Sequence, residues 1–121
     1  MMQMSESREM YLETILILSA THPNIHAIDI CEYMDFSRPS VSRALKQLKE
    51  AGLIDVDGNN HVTLTPQGEK IAHTVYERHK VLTKALMFLG VEKEVAQEDA
   101  CRIEHVISPE SFEAIKRKMN E

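Results

Sequence analysis

Residues 27–48 carry one apolar spacing twice. Ala27, Ile30, Cys31 and Met34 fall at i, i+3, i+4, i+7, and Val41, Ala44, Leu45 and Leu48 repeat the pattern after a tight link at Asp35-Phe36. That period places each set on one face of a helix. Ser37 is a hydroxyl cap for the second helix, Pro39 sits in its first turn where a missing N–H costs little, and Gly52 is a good stop after Ala51. The period then changes. Ile54 and Val56 alternate, Val62 and Leu64 alternate, and Asp57-Gly58-Asn59-Asn60 between them is turn sequence. Two short helices joined tightly, then a hairpin, describe a winged helix-turn-helix.

The flanks read as helix throughout. Ser5 opens a first helix with Glu6 and Glu9 near its start and an apolar stripe of Tyr11, Leu12, Ile15, Leu16 and Leu18, ended by His22-Pro23-Asn24. Thr65-Pro66 supplies the cap and first position of a long helix running to Leu89. Two more helices are expected, one around residues 92–107 and one opened by Ser108-Pro109-Glu110. The predicted fold is mainly α: a winged helix-turn-helix over residues 1–70 with a small β-hairpin wing, then an all-helical metal-binding and dimerisation domain over 71–121. Leu86, Phe88, Leu89, Val95, Ile103, Val106, Phe112 and Ile115 are its candidate dimerisation residues.

Composition narrows the function. At 43% hydrophobic and 27% charged, 121 residues suit one or two small folded domains rather than a disordered chain. The run Ile15-Leu16-Ile17-Leu18 is far too short to span a bilayer, and a cytoplasmic protein is expected. Two cysteines make no disulfide scaffold, and 5% aromatic residues argue against base-stacking modules. The net charge of −5 hides an uneven distribution. Residues 37–90 hold eight Lys and Arg against five acids, and Arg38, Arg43, Lys46 and Lys49 have no acid among them. A phosphate backbone responds to such a local face more than to the total charge.

The second helix of a helix-turn-helix is the one that enters the major groove. Its start offers Ser37, Arg38, Pro39, Ser40 and Ser42, small or basic residues that let the backbone approach phosphate. Arg43 can pair bidentately with a guanine edge, and Arg38 and Lys46 can hold phosphates and set register. Asn59 and Asn60 at the hairpin tip would lie over the adjacent backbone. The competing reading is a winged helix that binds protein instead of DNA.

A second signal is Cys101-x-x-Glu104-His105. On one helix, i, i+3 and i+4 share a face, so thiolate, carboxylate and imidazole would project together and suit a divalent transition metal. Met10 and Glu13 on the first helix and His79 on the long helix are further candidates, which only the fold can bring near. His22, His26, His61 and His73 show no partner spacing and read as structural or exposed.

Several stretches together resemble the diphtheria toxin repressor family: Glu9-Met10-Tyr11-Leu12-Glu13, Ser37-Arg38-Pro39-Ser40-Val41-Ser42, Leu64-Thr65-Pro66-Gln67-Gly68, Arg78-His79-Lys80 and Asp99-Ala100-Cys101-Arg102-Ile103-Glu104-His105. The resemblance covers essentially the whole chain in the same order. It implies a homodimeric, metal-activated regulator of double-stranded operator DNA, expected to repress metal-uptake genes in response to Fe(II) or Mn(II), with Zn(II), Co(II) or Ni(II) possible in vitro. The iron-responsive branch implies a primary site of Met10, Cys101, Glu104 and His105. Its ancillary site includes His79, but the acid and second histidine that complete it are replaced here by Thr83 and Gln97. The manganese-responsive branch implies Glu13, His79, Glu104 and His105, with acids where this chain has Met10 and Cys101. The resemblance thus implies a composite of the two, and a short form without an SH3-like domain is expected. No catalysis is assigned. The alternative is a thiol-based redox-sensing winged-helix regulator using Cys101.

Overall fold

The computed structural model describes residues 4–121. Among them the order is α1 (Met4–Ser19), α2 (Ala27–Met34), α3 (Arg38–Glu50), β1 (Ile54–Val56), β2 (Val62–Leu64), α4 (Pro66–Phe88), α5 (Lys93–Ile103) and α6 (Pro109–Met119). The chain falls into two compact units, the first ending at His73 and the second covering Thr74–Glu121.

Three helix starts follow from hydroxyl caps. Ser37 Oγ accepts from the Ser40 N–H at 3.3 Å, Thr65 Oγ1 from Gly68 at 3.1 Å, and Ser108 Oγ from Ser111 at 3.1 Å. Each satisfies one amide that a helix start leaves without an intrahelical partner. Thr65 also donates its hydroxyl to the Gly52 carbonyl at 2.7 Å, tying the start of α4 to the end of α3. Gly52 closes α3 at φ 76°, and Leu53 N–H returns to Leu48 O at 3.0 Å. That is the Schellman closure, which favours glycine. Asp35 plays the corresponding part after α2 at φ 56°, with Phe36 N–H on Cys31 O.

The first unit is a winged helix-turn-helix. Leu12 and Ile15 of α1, Ile30 of α2, Val41 and Leu48 of α3 and Ile54 of β1 are almost completely buried in one core. The wing is antiparallel with Ile54 opposite Leu64 and Val56 opposite Val62. Val62 N–H also reaches Ile25 O at 2.8 Å, so the segment before α2 pins the wing beside its turn. At the tip, Asp57 Oδ1 accepts from the N–H groups of Asn59 and His61 at 2.8 and 2.9 Å, and Asn60 takes φ 62°.

In the second unit Val75 and Leu82 of α4, Ala96 and Ala100 of α5 and Phe112 of α6 are buried. Lys116 Nζ meets Glu77 Oε1 at 2.8 Å, a hydrogen bond that raises the lysine's pKa. Two expectations need correction here. The helix expected over 92–107 ends at Ile103, where Val106 and Ile107 N–H both converge on the Ile103 carbonyl and close the chain into a turn before Ser108 extends (φ −69°, ψ 154°) to cap α6 ahead of Pro109. Phe112, expected at a dimer contact, is 5% exposed and sits under the Arg78 guanidinium, 5.6 Å from its ring centroid. Phe88, Leu89 and Val106 are open at 75%, 75% and 67% exposure.

Candidate metal centre and nucleic-acid interface

Glu104 is the only acidic side chain of the second unit with 0% exposure among the described residues. Removing a carboxylate from water costs several kcal/mol unless partners replace the lost hydration. Here one oxygen is hydrogen-bonded by the His79 imidazole, and the other is approached by His105 at ion-pair distance without a hydrogen bond. His79 Nδ1, from the middle of α4, lies 2.9 Å from Oε2, and His105 Nε2 lies 3.3 Å from Oε1. The side chains of His79 and His105 are 25% and 4% exposed. The two imidazoles approach different oxygens, so a carboxylate stands between them. Each side of the buried carboxylate therefore offers one imidazole nitrogen beside one oxygen, donor types that suit a divalent first-row ion. A carboxylate with an imidazole at each oxygen is also able to serve two ions.

The three residues Cys101, Glu104 and His105 stand at the end of α5. Cys101 lies in the last turn of α5, Glu104 is the cap whose N–H still bonds Ala100 O at 2.9 Å, and His105 is already in the following turn. Cys101 is half-buried and in no disulfide. Among the described residues, neither Cys101 nor His105 joins two other His, Cys, Asp or Glu donors within 4.8 Å. Glu13 is buried and Met10 half-buried on α1. Thr83 and Gln97, where the iron branch has ligands, offer a hydroxyl and an amide.

On the first unit Arg38, Pro39, Ser42, Arg43 and Lys46 are exposed along α3. The Ser37 hydroxyl is engaged in its cap and in a 2.9 Å hydrogen bond to Ser40 Oγ, so both serines shape the helix start. A groove of about 570 Å³ opens between α3 and the wing, bordered by Arg38, Ser42, Lys46, Lys49, Asn59 and Asn60. Its charged wall is wholly basic, as a phosphate strand requires. Arg43 also acts inward. The Tyr11 phenol is pushed up chiefly by burial and by Cys31, while Arg43 opposes that rise.

Three of the histidines read as structural or exposed stand beside carboxylates. His22 Nε2 and His26 Nδ1 lie 3.9 and 3.8 Å from the two oxygens of Asp29, and His61 Nδ1 is 3.1 Å from Asp57 Oδ2. The His26 and His61 rings meet edge to face at 4.7 Å. Asp29 also accepts the His26 backbone N–H at 2.8 Å. Of these, only Asp29, three residues after the helix boundary, left a capping signal in the sequence.

Comparison with known proteins gives a consistent picture. Residues 3–62 match the family model described as "Iron dependent repressor, N-terminal DNA binding domain", and residues 65–121 match "Iron dependent repressor, metal binding and dimerisation domain". The chain is 36% identical over 104 residues to the transcriptional regulator MntR of Salmonella typhimurium, covering 86% of this chain and 66% of that protein. It is 30% identical over 115 residues to an uncharacterized HTH-type transcriptional regulator of Methanocaldococcus jannaschii, covering 93% and 92%. The solved structure of the manganese regulator SloR superposes with a TM-score of 0.84 at 30% identity, covering 93% of this chain and 53% of that one. The chain therefore spans about two thirds of MntR and about half of SloR.

Proposed function

We propose that this chain, which belongs to the iron-dependent repressor family, is a metal-activated repressor that binds operator DNA as a homodimer. The observation that carries the reading is Glu104, wholly buried between the imidazoles of His79 and His105. Such a group is stabilised further by a cation and has few other uses. The ion is Fe(II) or Mn(II): nitrogen and carboxylate donors take either, and the sulfurs of Met10 and Cys101 tilt the set toward Fe(II). Zn(II), Co(II) or Ni(II) would substitute in vitro. The ligands carried over from the resemblance are Met10, Cys101, Glu104 and His105 for one tightly held ion, and Glu13 and His79, sharing Glu104, for a second, weaker one. The manganese regulator SloR and the iron-dependent family model mark the two metals this architecture serves.

The bound ion supplies positive charge that offsets the buried carboxylates and joins ligands from different helices. It strengthens DNA binding to the extent that it favours the DNA-competent arrangement over others. Ser42 and Arg43 face base edges, Arg38, Lys46 and Lys49 hold phosphates, and Asn59 and Asn60 lie along the backbone beside them. The chain acts by binding alone, with no reaction step. No helix among the described residues is long and apolar enough to cross a membrane, and a cytoplasmic site of action follows from DNA as partner. The thiol-redox alternative finds no support, since the matched families and relatives are regulators described through their metals or their DNA-binding folds.

The test is an anaerobic titration with Mn(II) and Fe(II), read by fluorescence anisotropy of a duplex selected from a random pool by the protein itself. Affinity for the selected duplex should rise by about tenfold or more with metal, which corresponds to at least ~1.4 kcal/mol of coupling, and EDTA should reverse it. Equal affinity with and without metal would overturn the proposal.

A further inference from the structure

The residue before His79 reaches across to the turn that carries the other candidate ligands. Arg78 Nη1 donates to the carbonyl oxygen of Glu104 at 3.2 Å and to that of Ile107 at 3.4 Å. Its guanidinium lies over the Phe112 ring. These carbonyls flank the His105 turn: Glu104 caps α5, and Ile107 precedes Ser108, the cap of α6. The Glu104 carbonyl lies at the C-terminal end of α5, where carbonyls lack intrahelical partners and the dipole favours a cation, whereas the Ile107 carbonyl, ahead of α6, is held by hydrogen bonding alone. One guanidinium on α4 thus fixes the turn between α5 and α6 from both ends.

We infer that Arg78 is a positioning residue for the metal centre, setting where Glu104 and His105 stand relative to His79. The inference rests on the metal-binding reading above. Consecutive helix residues leave α4 about 100° apart, so Arg78 and His79 need not compete for the same space. Arg78 engages the backbone of the turn while His79 engages the Glu104 carboxylate, and the guanidinium lies over the ring of Phe112. Both hydrogen bonds leave the same nitrogen, which a lysine ammonium can imitate in part, but lysine has no planar group to lie over the Phe112 ring while it does so. Groups that orient metal ligands in this manner typically influence affinity by about 10–100-fold.

The experiment uses the whole chain and two variants, Arg78→Met and Arg78→Lys, titrated anaerobically with Co(II) and with Mn(II). The readouts are metal affinity and the visible absorption spectrum of the Co(II) form, which reports ligand geometry and does not follow global stability. Circular dichroism checks folding. Arg78→Met should bind both ions about 10–100-fold more weakly with altered Co(II) bands, and Arg78→Lys should fall between it and the wild type. If Arg78→Met fails to fold, Arg78→Lys decides by the same two readouts. A folded variant with wild-type affinity and spectrum overturns the inference and leaves the metal reading intact. A wild type that takes up neither ion overturns both.

Discussion

A methyl group added at Gly68 would run into the carbonyl of Leu53, which is backbone and cannot swing aside. That carbonyl is also held by the Thr65 N–H at 3.1 Å. Gly68→Ala should therefore lose at least ~1–3 kcal/mol, the usual cost of forcing atoms into a packed site. Thermal unfolding should drop by several degrees, and an unchanged midpoint would show that α4 can move away from Leu53. Asp57 gives a pH prediction of known sign. Its carboxyl is held below the usual range first by the His61 backbone N–H, helped by Asn59 and the His61 ring. A depressed value means that the ionised carboxylate favours the folded turn. The contribution is present above the unfolded carboxylate pKa and fades as pH falls through the lower folded value. Amide exchange at Asn59 and His61, corrected for intrinsic rates, should be protected at pH 6 and lose protection in acid; Asp57→Asn should flatten that dependence. At this scale the sequence was readable where partners are near neighbours. The caps at Ser37, Thr65 and Ser108 act over three residues. Glu104 between His79 and His105, and Arg78 on the turn, depend on contacts across up to 29 residues, for which no local pattern exists.

Helices and strands were legible for a related reason. Each of α2, α3, β1 and β2 buries one face, so its period is written in the apolar spacing. The end of α5 was not, because residues 104–107 keep near-helical hydrogen bonds, Val106 and Ile107 both returning to Ile103 O, while leaving the regular ladder. The candidate ligands Glu104 and His105 therefore sit on a turn held from α4 rather than on a rigid helix. On α3 the division of labour makes a prediction. Arg43→Ala should cost ~1–3 kcal/mol of duplex affinity and relax preference at one base position, whereas Lys46→Ala should weaken all duplexes alike and lower the salt slope by about one unit. Both are exposed on a helix whose other face holds Val41, Leu45 and Leu48 in the core, so neither change should disturb folding. If base preference and salt slope are both unmoved in duplex titrations, α3 is not the recognition helix.

At the scale of the whole molecule, a net charge of −5 and the proposed DNA-binding role are reconciled by segregation: the groove beside α3 is lined by Arg38, Lys46 and Lys49 with no acidic side chain. One such face would read half a site. A palindromic operator needs two, about 34 Å apart or a multiple of it, and hence a dimer. The second unit offers the surface for it: Phe88, Leu89 and Val106 are largely exposed, against the tendency of large apolar side chains to be buried. Leu89 follows the end of α4, outside the buried set of Val75, Leu82, Ala96, Ala100 and Phe112. A charge placed there should leave the fold of each protomer intact and oppose burial against a second copy. Leu89→Glu should therefore sediment as a monomer at concentrations where the wild type is a dimer. It should still take up Mn(II), because His79, Glu104 and His105 are untouched. Its affinity for the selected palindromic duplex should fall by about tenfold or more, since each protomer then pays its own cost of association. Binding to a single half-site should change little. A variant that remains a dimer would place the contact elsewhere; one that becomes a monomer yet grips the palindrome as before would show that a single chain suffices.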